Sequence, residues 1–266
     1  MIDVIIDHLH DDIQSLRACS LVCKSWTRSS RFHLFSTLTV SRLSAVERLL
    51  KSAPAIIPFI RHLHLRRLLW DIILPLLVGF KSIKSLTTTG LDTHRLDAHV
   101  LSDFCCNFSA AVVVQLDDAV FDDADQLVRF ICAFPRLQRL AINCMGLPDE
   151  FGSDLPPPTA FSLSPHLHDL ELDDVCMDPV LDWLLSLPDR PALRAVRLRP
   201  TIFNNSDTIT MLLLALGDSL ETFLISTSIA DGMFVVFPTL IHTAYDVRTA
   251  SAIRPTPQHT LTLPSI

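Results

Sequence analysis

The chain has 266 residues, 49% hydrophobic and 19% charged, a balance that fits a folded protein with a sizeable core rather than a disordered one. Its formal net charge of -7 counts against a nucleic-acid binder, which must neutralise phosphates with Lys and Arg. Glycine is scarce (six residues, against 17 prolines), and none stands in a GxGxxG or GxxxxGKS/T frame, so a phosphate-cradling loop has no support.

In chain order, the first forty residues read as helices. Ile2, Ile5, Ile6 and Leu9 share a helical face, and "HDD" (10–12) breaks the pattern. Leu16, Cys19, Val22, Cys23 and Trp26 then form a second apolar stripe at helical spacing. Phe32, Leu34 and Phe35 follow, before a strand-like "STLTV". His8, His10, Asp11 and Asp12 are residue types that bind metals. Two residues apart on a helix, however, side chains diverge by about 200°, so no metal is expected there.

Three pieces of this stretch, "IIDHL", "SLRACSLVCKSW" with its Val-Cys-Lys-x-Trp core, and "SSRFHLF", agree in order and spacing with the F-box. Residues 1–40 therefore resemble an F-box-like domain of the kind found at the N-terminus of many fungal proteins. The resemblance implies docking on a Skp-type adaptor of a cullin–RING (SCF) ubiquitin ligase. Ile5, Ile6, Leu9, Val22, Cys23 and Trp26 are then positions of the module's core or of its adaptor face. The family's Leu-Pro-acidic opening is missing, because this chain starts inside the first helix. One lost Leu-sized contact implies about 2 kcal/mol, roughly thirtyfold in affinity.

Beyond residue 40 the sequence repeats. Short apolar-x-apolar strands occur at 61–67, 84–90, 112–118, 138–144, 168–174, 194–200 and 221–227. Their first anchors are Leu63, Leu86, Val114, Leu140, Leu170, Val196 and Phe223, separated by 23, 28, 26, 30, 26 and 27 residues. The second strand is the weakest, with Thr88 in place of its second apolar anchor. Helical spacing appears between strands at 43–53, 125–135, 178–188 and 207–217. The run at 68–80, broken by Asp71 and Pro75, is expected to be a buried helix and is too short to span a membrane.

Strand–helix units of this length stack as a solenoid, and the spacing resembles that of leucine-rich repeats with long, helical units. The fold class expected is α/β. A short helical F-box-like module (1–40) leads into an irregular leucine-rich-repeat-like solenoid (41–228), with a parallel sheet on the concave face and helices on the convex face. A cap and a loose Thr/Pro-rich tail (229–266) complete it. The Asn or Cys that such repeats carry three residues after the second anchor is replaced by Leu68, Leu91, Ala119, Met145, Val175, Thr201 and Ser228, so no asparagine ladder is expected. Residues 146–161, with three consecutive prolines, read as an inserted loop.

Strand residues between and beside the anchors should face the concave surface. They are His62, His64, Thr87, Gln115, Arg139, Asp169, Glu171, Arg197 and Arg199, a mixed-charge surface suited to a protein or peptide partner. His62 and His64 share a face but have no third ligand, so no metal is expected. The acidic loops at 116–125 and 170–178 lack a calcium-binding frame.

The run "LGDSL" (216–220) is similar to the nucleophile block of a large esterase family. No Gly-x-Asn occurs, and neither Asp231 nor Asp246 is followed three residues later by His, so Ser219 reads as a turn residue in the repeat. The seven cysteines, odd in number and without C-x-x-C, read as reduced thiols of an intracellular protein, cytoplasmic or nuclear. The acidic start lacks a signal peptide's positive region.

The functional expectation is a non-enzymatic substrate-recognition subunit with no cofactor. Its partners would be a Skp-type adaptor and an unidentified protein target, with no nucleic acid and no membrane. The alternative is a repeat-protein scaffold whose F-box no longer recruits a ligase.

Overall fold

A computed structural model describes residues 2–96, 98–146, 162–199, 206–226 and 234–237. Three short helices come first: α1 (Ile2–Asp7), α2 (Ile13–Cys19) and α3 (Lys24–Leu34). Asp12 caps α2, its carboxylate accepting the backbone N–H groups of Gln14 and Ser15 and the Ser15 hydroxyl. The second apolar stripe is not one helix, because the chain leaves helical geometry between Cys19 and Lys24. Thr27 braces the break, its hydroxyl shared between the carbonyls of Ser20 and Cys23 at 2.8 and 2.9 Å.

Among the described residues nine strands then form one sheet in sequence order: β1 (Thr37–Val40), β2 (His62–Arg66), β3 (Ser85–Thr89), β4 (Val113–Val120), β5 (Arg139–Gly146), β6 (Asp169–Asp173), β7 (Ala195–Arg199), β8 (Thr222–Ser226) and β9 (Phe234–Phe237). The first eight are parallel; β9 pairs antiparallel to β8. All seven first anchors stand in one register row, from Leu63 through Leu86, Val114, Leu140, Leu170 and Val196 to Phe223, and Leu38 of β1 extends it. Parallel strands need long crossovers. Helices α4 (Leu43–Ser52), α6 (Ala98–Asn107), α7 (Ala124–Cys132), α8 (Asp174–Ser186) and α9 (Ser206–Leu216) lie in five of them.

The strand starts share one backbone device. The carbonyls of Ser36, Arg61, Lys84, Val112, Gln138, His168 and Arg194 each accept two consecutive N–H groups from the chain entering the next strand, at 2.7–3.1 Å. Another device recurs at the ends of β2 and β3 and at a bulge within β4. Arg67, Gly90 and Asp118 follow in-register residues of β2, β3 and β4 and all have positive φ, at 46°, 74° and 54°. Only Gly90 adopts this without a Cβ penalty. The Arg67 and Gly90 N–H groups donate to Thr89 O and Asp117 O, both at 2.8 Å.

Anchors and inter-strand segments bury one continuous core. Its centre is a run of rings. Trp70 meets Phe104 edge-on at 6.3 Å, Phe104 meets Phe108 and Phe130, and Phe130 meets Phe121 and Phe134. The Trp70 indole N–H donates to Gly90 O at 2.8 Å, so the ring stays satisfied inside.

The run at 68–80 is not one helix. A single turn, α5 (Trp70–Ile73), passes into a 3-10 turn at Leu74–Leu77, because Pro75 lacks an N–H and disfavours continued α geometry. Trp70, Ile73, Leu74 and Leu77 are buried, while Leu69, Ile72 and Val78 face solvent.

Thr88, at the expected apolar anchor, is fully buried, and its hydroxyl lacks a partner. Leu91 and Ala119, at two of the positions where Asn or Cys would be usual in leucine-rich repeats, are buried, and Leu68 packs partly against the core. Apart from Gly146 and β9, the expected inserted loop (146–161) and tail (229–266) lie outside the described residues.

Candidate functional site

Two surfaces carry the residues singled out in the sequence. The first is the helical end. Ile6 is fully buried, Leu9 and Trp26 are half-buried, and Ile5, Val22 and Cys23 are exposed. Val4, Ile13 and Leu21, which the sequence pattern did not single out, join Ile5 and Val22 as exposed apolar side chains; Leu21 is 87% exposed. The break between α2 and α3 accounts for Leu21 and Val22. A continuous helix would turn Val22 and Cys23 inward with Leu16, but the break carries Leu21 and Val22 into solvent. Apolar residues next to a helix break were the missed signal. His33 Nε2 and the Asp7 carboxylate, 2.8 Å apart, tie α3 to α1. The Ser25 hydroxyl at 3.1 Å, and then the Trp26 backbone N–H, hold the Cys23 thiol below its ordinary pKa.

The second surface is the open face of the sheet. Register places His64, Thr87, Gln115, Ala141, Glu171 and Arg197 in one row. His62, Ser85, Val113, Arg139 and Asp169 form the next. Arg199 stands in a third row with Asp173, and most charges of these rows are paired with one another. Asp169 lies between Arg139, at 3.5 Å, and Arg197; Glu171 lies between Arg139, at 3.6 Å, and Arg199. Both carboxylates are mostly covered, with side chains 15% exposed. The Gln115 amide donates to Asp117 at 3.2 Å. The sequence shows both signs on this face but not their mutual neutralisation, which depends on how far side chains reach from one strand to the next. A shallow cleft among Gln115, Asn143, Glu171 and Arg199 measures about 50 Å³. Small-molecule sites usually offer about 300–1,000 Å³.

At the other end of the face, β2 presents His62, His64 and Arg66. Partial burial, then the nearby Arg66 and His62, push the His64 imidazole below its ordinary pKa.

Ser219 occupies a 3-10 turn after Gly217, whose φ is 49°. Its hydroxyl donates to Leu216 O at 2.7 Å and Leu193 O at 3.3 Å. Both contacts are to backbone, a structural tie between turns.

Among the described residues no helix is long and apolar enough to cross a membrane. No protein-family model matches the chain, and no curated protein matches it. The class is α/β, with helices and a sheet whose first eight strands are all parallel.

Proposed function

We propose that this protein is a substrate-recognition subunit of an SCF-type cullin–RING ubiquitin ligase, its N-terminal helices docking on a Skp-type adaptor. In this reading residues 1–40 are an F-box-like module. The sheet and its crossovers are an irregular leucine-rich-repeat-like solenoid whose open face binds a protein target, inside the cell and without a cofactor or chemistry of its own.

The observation that carries the reading is the group of solvent-facing apolar side chains on the helical end: Val4, Ile5, Ile13, Leu21 and Val22. Exposed apolar groups concentrated on a small helical unit suit a protein interface. The identical carbonyl rungs at seven strand starts support a repeat architecture. The shallow centre of the open face supports a macromolecular partner over a small ligand.

The test is co-purification of the full chain with a Skp-type adaptor. Capture is expected, and Leu21→Asp with Val22→Asp should abolish it without lowering the unfolding temperature. Absence of capture by both this chain and one extended with Leu-Pro-x-Glu overturns the adaptor reading and leaves a repeat scaffold.

A further inference from the structure

The open face divides into two parts. Around β5–β7, arginines and carboxylates satisfy each other. On β2, among the described residues, the cationic and cationisable groups have no ion-pair partner. Among the described residues the side chains of His62, His64 and Arg66 have no ion-pair or hydrogen-bond partner. Alternation along β2 puts all three on the same face, opposite buried Leu63 and Leu65. Their strand neighbours are neutral donors and acceptors. His62 lies between Thr37 and Ser85, His64 lies between Thr39 and Thr87, and Arg66 pairs in register with Thr89. In register the next carboxylate along this face is Asp117 of β4, beyond Thr89 and bonded by Gln115, while its neighbour Asp118 lies 4.0 Å from Arg67, the residue after Arg66.

We propose that the β1–β3 end of the open face binds an extended acidic peptide segment of a partner protein, with carboxylates at alternate residues meeting His62, His64 and Arg66. The proposal rests on reading this face as a partner surface and names the chemistry of the segment it takes.

Spacing selects the ligand. Residues i, i+2 and i+4 of a strand lie in a straight row with successive members about 6.6 Å apart. An extended peptide lying alongside has the same repeat, so Glu or Asp at every second position matches each cation in turn. A metal ion fits poorly: two imidazoles give two ligands, and the Arg66 charge repels a cation. A lone phosphate is compact and spans only part of a row about 13 Å long.

The row also makes binding depend on pH. The charged groups facing His64 are His62 and Arg66 on its own strand; β1 and β3 contribute only hydroxyls, and Asp117 lies one strand further on. Partial burial and like charge disfavour the imidazolium in the free protein, and bound carboxylates reverse that. Carboxylates stay ionised above about pH 5, so affinity rises as pH falls from about 8 to about 6.

The test uses the full chain and a labelled Glu-Thr-Glu-Thr-Glu peptide. Fluorescence anisotropy reports affinity, and the ring proton resonances of His62 and His64 report position. Expected are tighter binding at pH 6 than at pH 8 and movement of both histidine signals. His64→Gln and Arg66→Gln should each weaken binding about tenfold, one charge-assisted hydrogen bond's worth. Failure of the peptide to bind, binding without movement of those resonances, or equal binding of a peptide with three contiguous Glu overturns the proposal. Tighter binding of a single-phosphoserine peptide overturns it in favour of a phosphate site. Adaptor capture by the same variants separates the two readings: a chain that captures the adaptor but not the peptide remains a receptor without this recognition row. One that binds only the peptide keeps the row and loses the ligase assignment.

Discussion

In the three N-terminal helices the described buried apolar residues are Ile6 and Leu16, neither of which joins the continuous core, while Val4, Ile5, Ile13, Leu21 and Val22 face solvent. The sheet and its crossovers do the reverse. Anchors fill one row, and Trp70, Phe104, Phe108, Phe121, Phe130 and Phe134 interlock behind them. A helical unit of under about forty residues has too little interior to hold itself together unaided. The contrast teaches that stability resides in the sheet, whereas the helical end keeps its apolar surface available.

The contrast breaks most sharply at Phe130. Phe130→Ala removes a ring stacked on Phe104 and edge-on to two others, and should cost about 3–5 kcal/mol in urea-induced unfolding. A loss near zero would mean that the ring cluster does not anchor the sheet. Gly90→Ala places a Cβ at a φ of 74° and 3.4 Å from Arg67 Cγ, which should cost about 1–2 kcal/mol. Thr88→Val should instead stabilise, by about 1 kcal/mol, because it replaces a buried, unpartnered hydroxyl with a methyl of similar shape. Val22→Asp should leave stability within about 0.5 kcal/mol, since the side chain is 63% exposed; a larger loss would mean that the helical end belongs to the core after all.

Thiol chemistry sharpens the same comparison without touching stability. Burial pushes the Cys105 and Cys132 thiols up to about 12, while the exposed Cys23 is held below its ordinary value. At pH 8 Cys23 therefore carries more of the reactive thiolate. Mass spectrometry after brief alkylation should find Cys23 modified while Cys105 and Cys132 remain intact.

Strand positions were legible because an apolar-x-apolar pair recurring at near-constant spacing is the mark of strands stacked side by side, and the register row from Leu63 to Phe223 follows that pattern residue for residue. β1 was readable as a strand but not as a member of the series, since Leu38 precedes the first interval. Helix α6 was missed although Val100, Leu101, Phe104, Cys105 and Phe108 have helical spacing. The exit at Arg67 and the bulge at Asp118 were illegible, because only glycine advertises positive φ and neither position carries it. On the open face, row membership could be read from alternation. Which charges cancel could not, because it depends on where long arginine side chains end.

Each parallel strand is hydrogen-bonded only to those immediately before and after it in the chain. Every pairing among β2 to β8 therefore closes a loop of some 23 to 30 residues, however far along the sheet it lies. Closing such a loop carries a nearly constant entropic penalty, so lengthening the array adds no topological burden. A duplicated segment inserted between two strands would find the same rung geometry on both sides, and such a chain is free to vary its span by whole units while its ends stay unchanged.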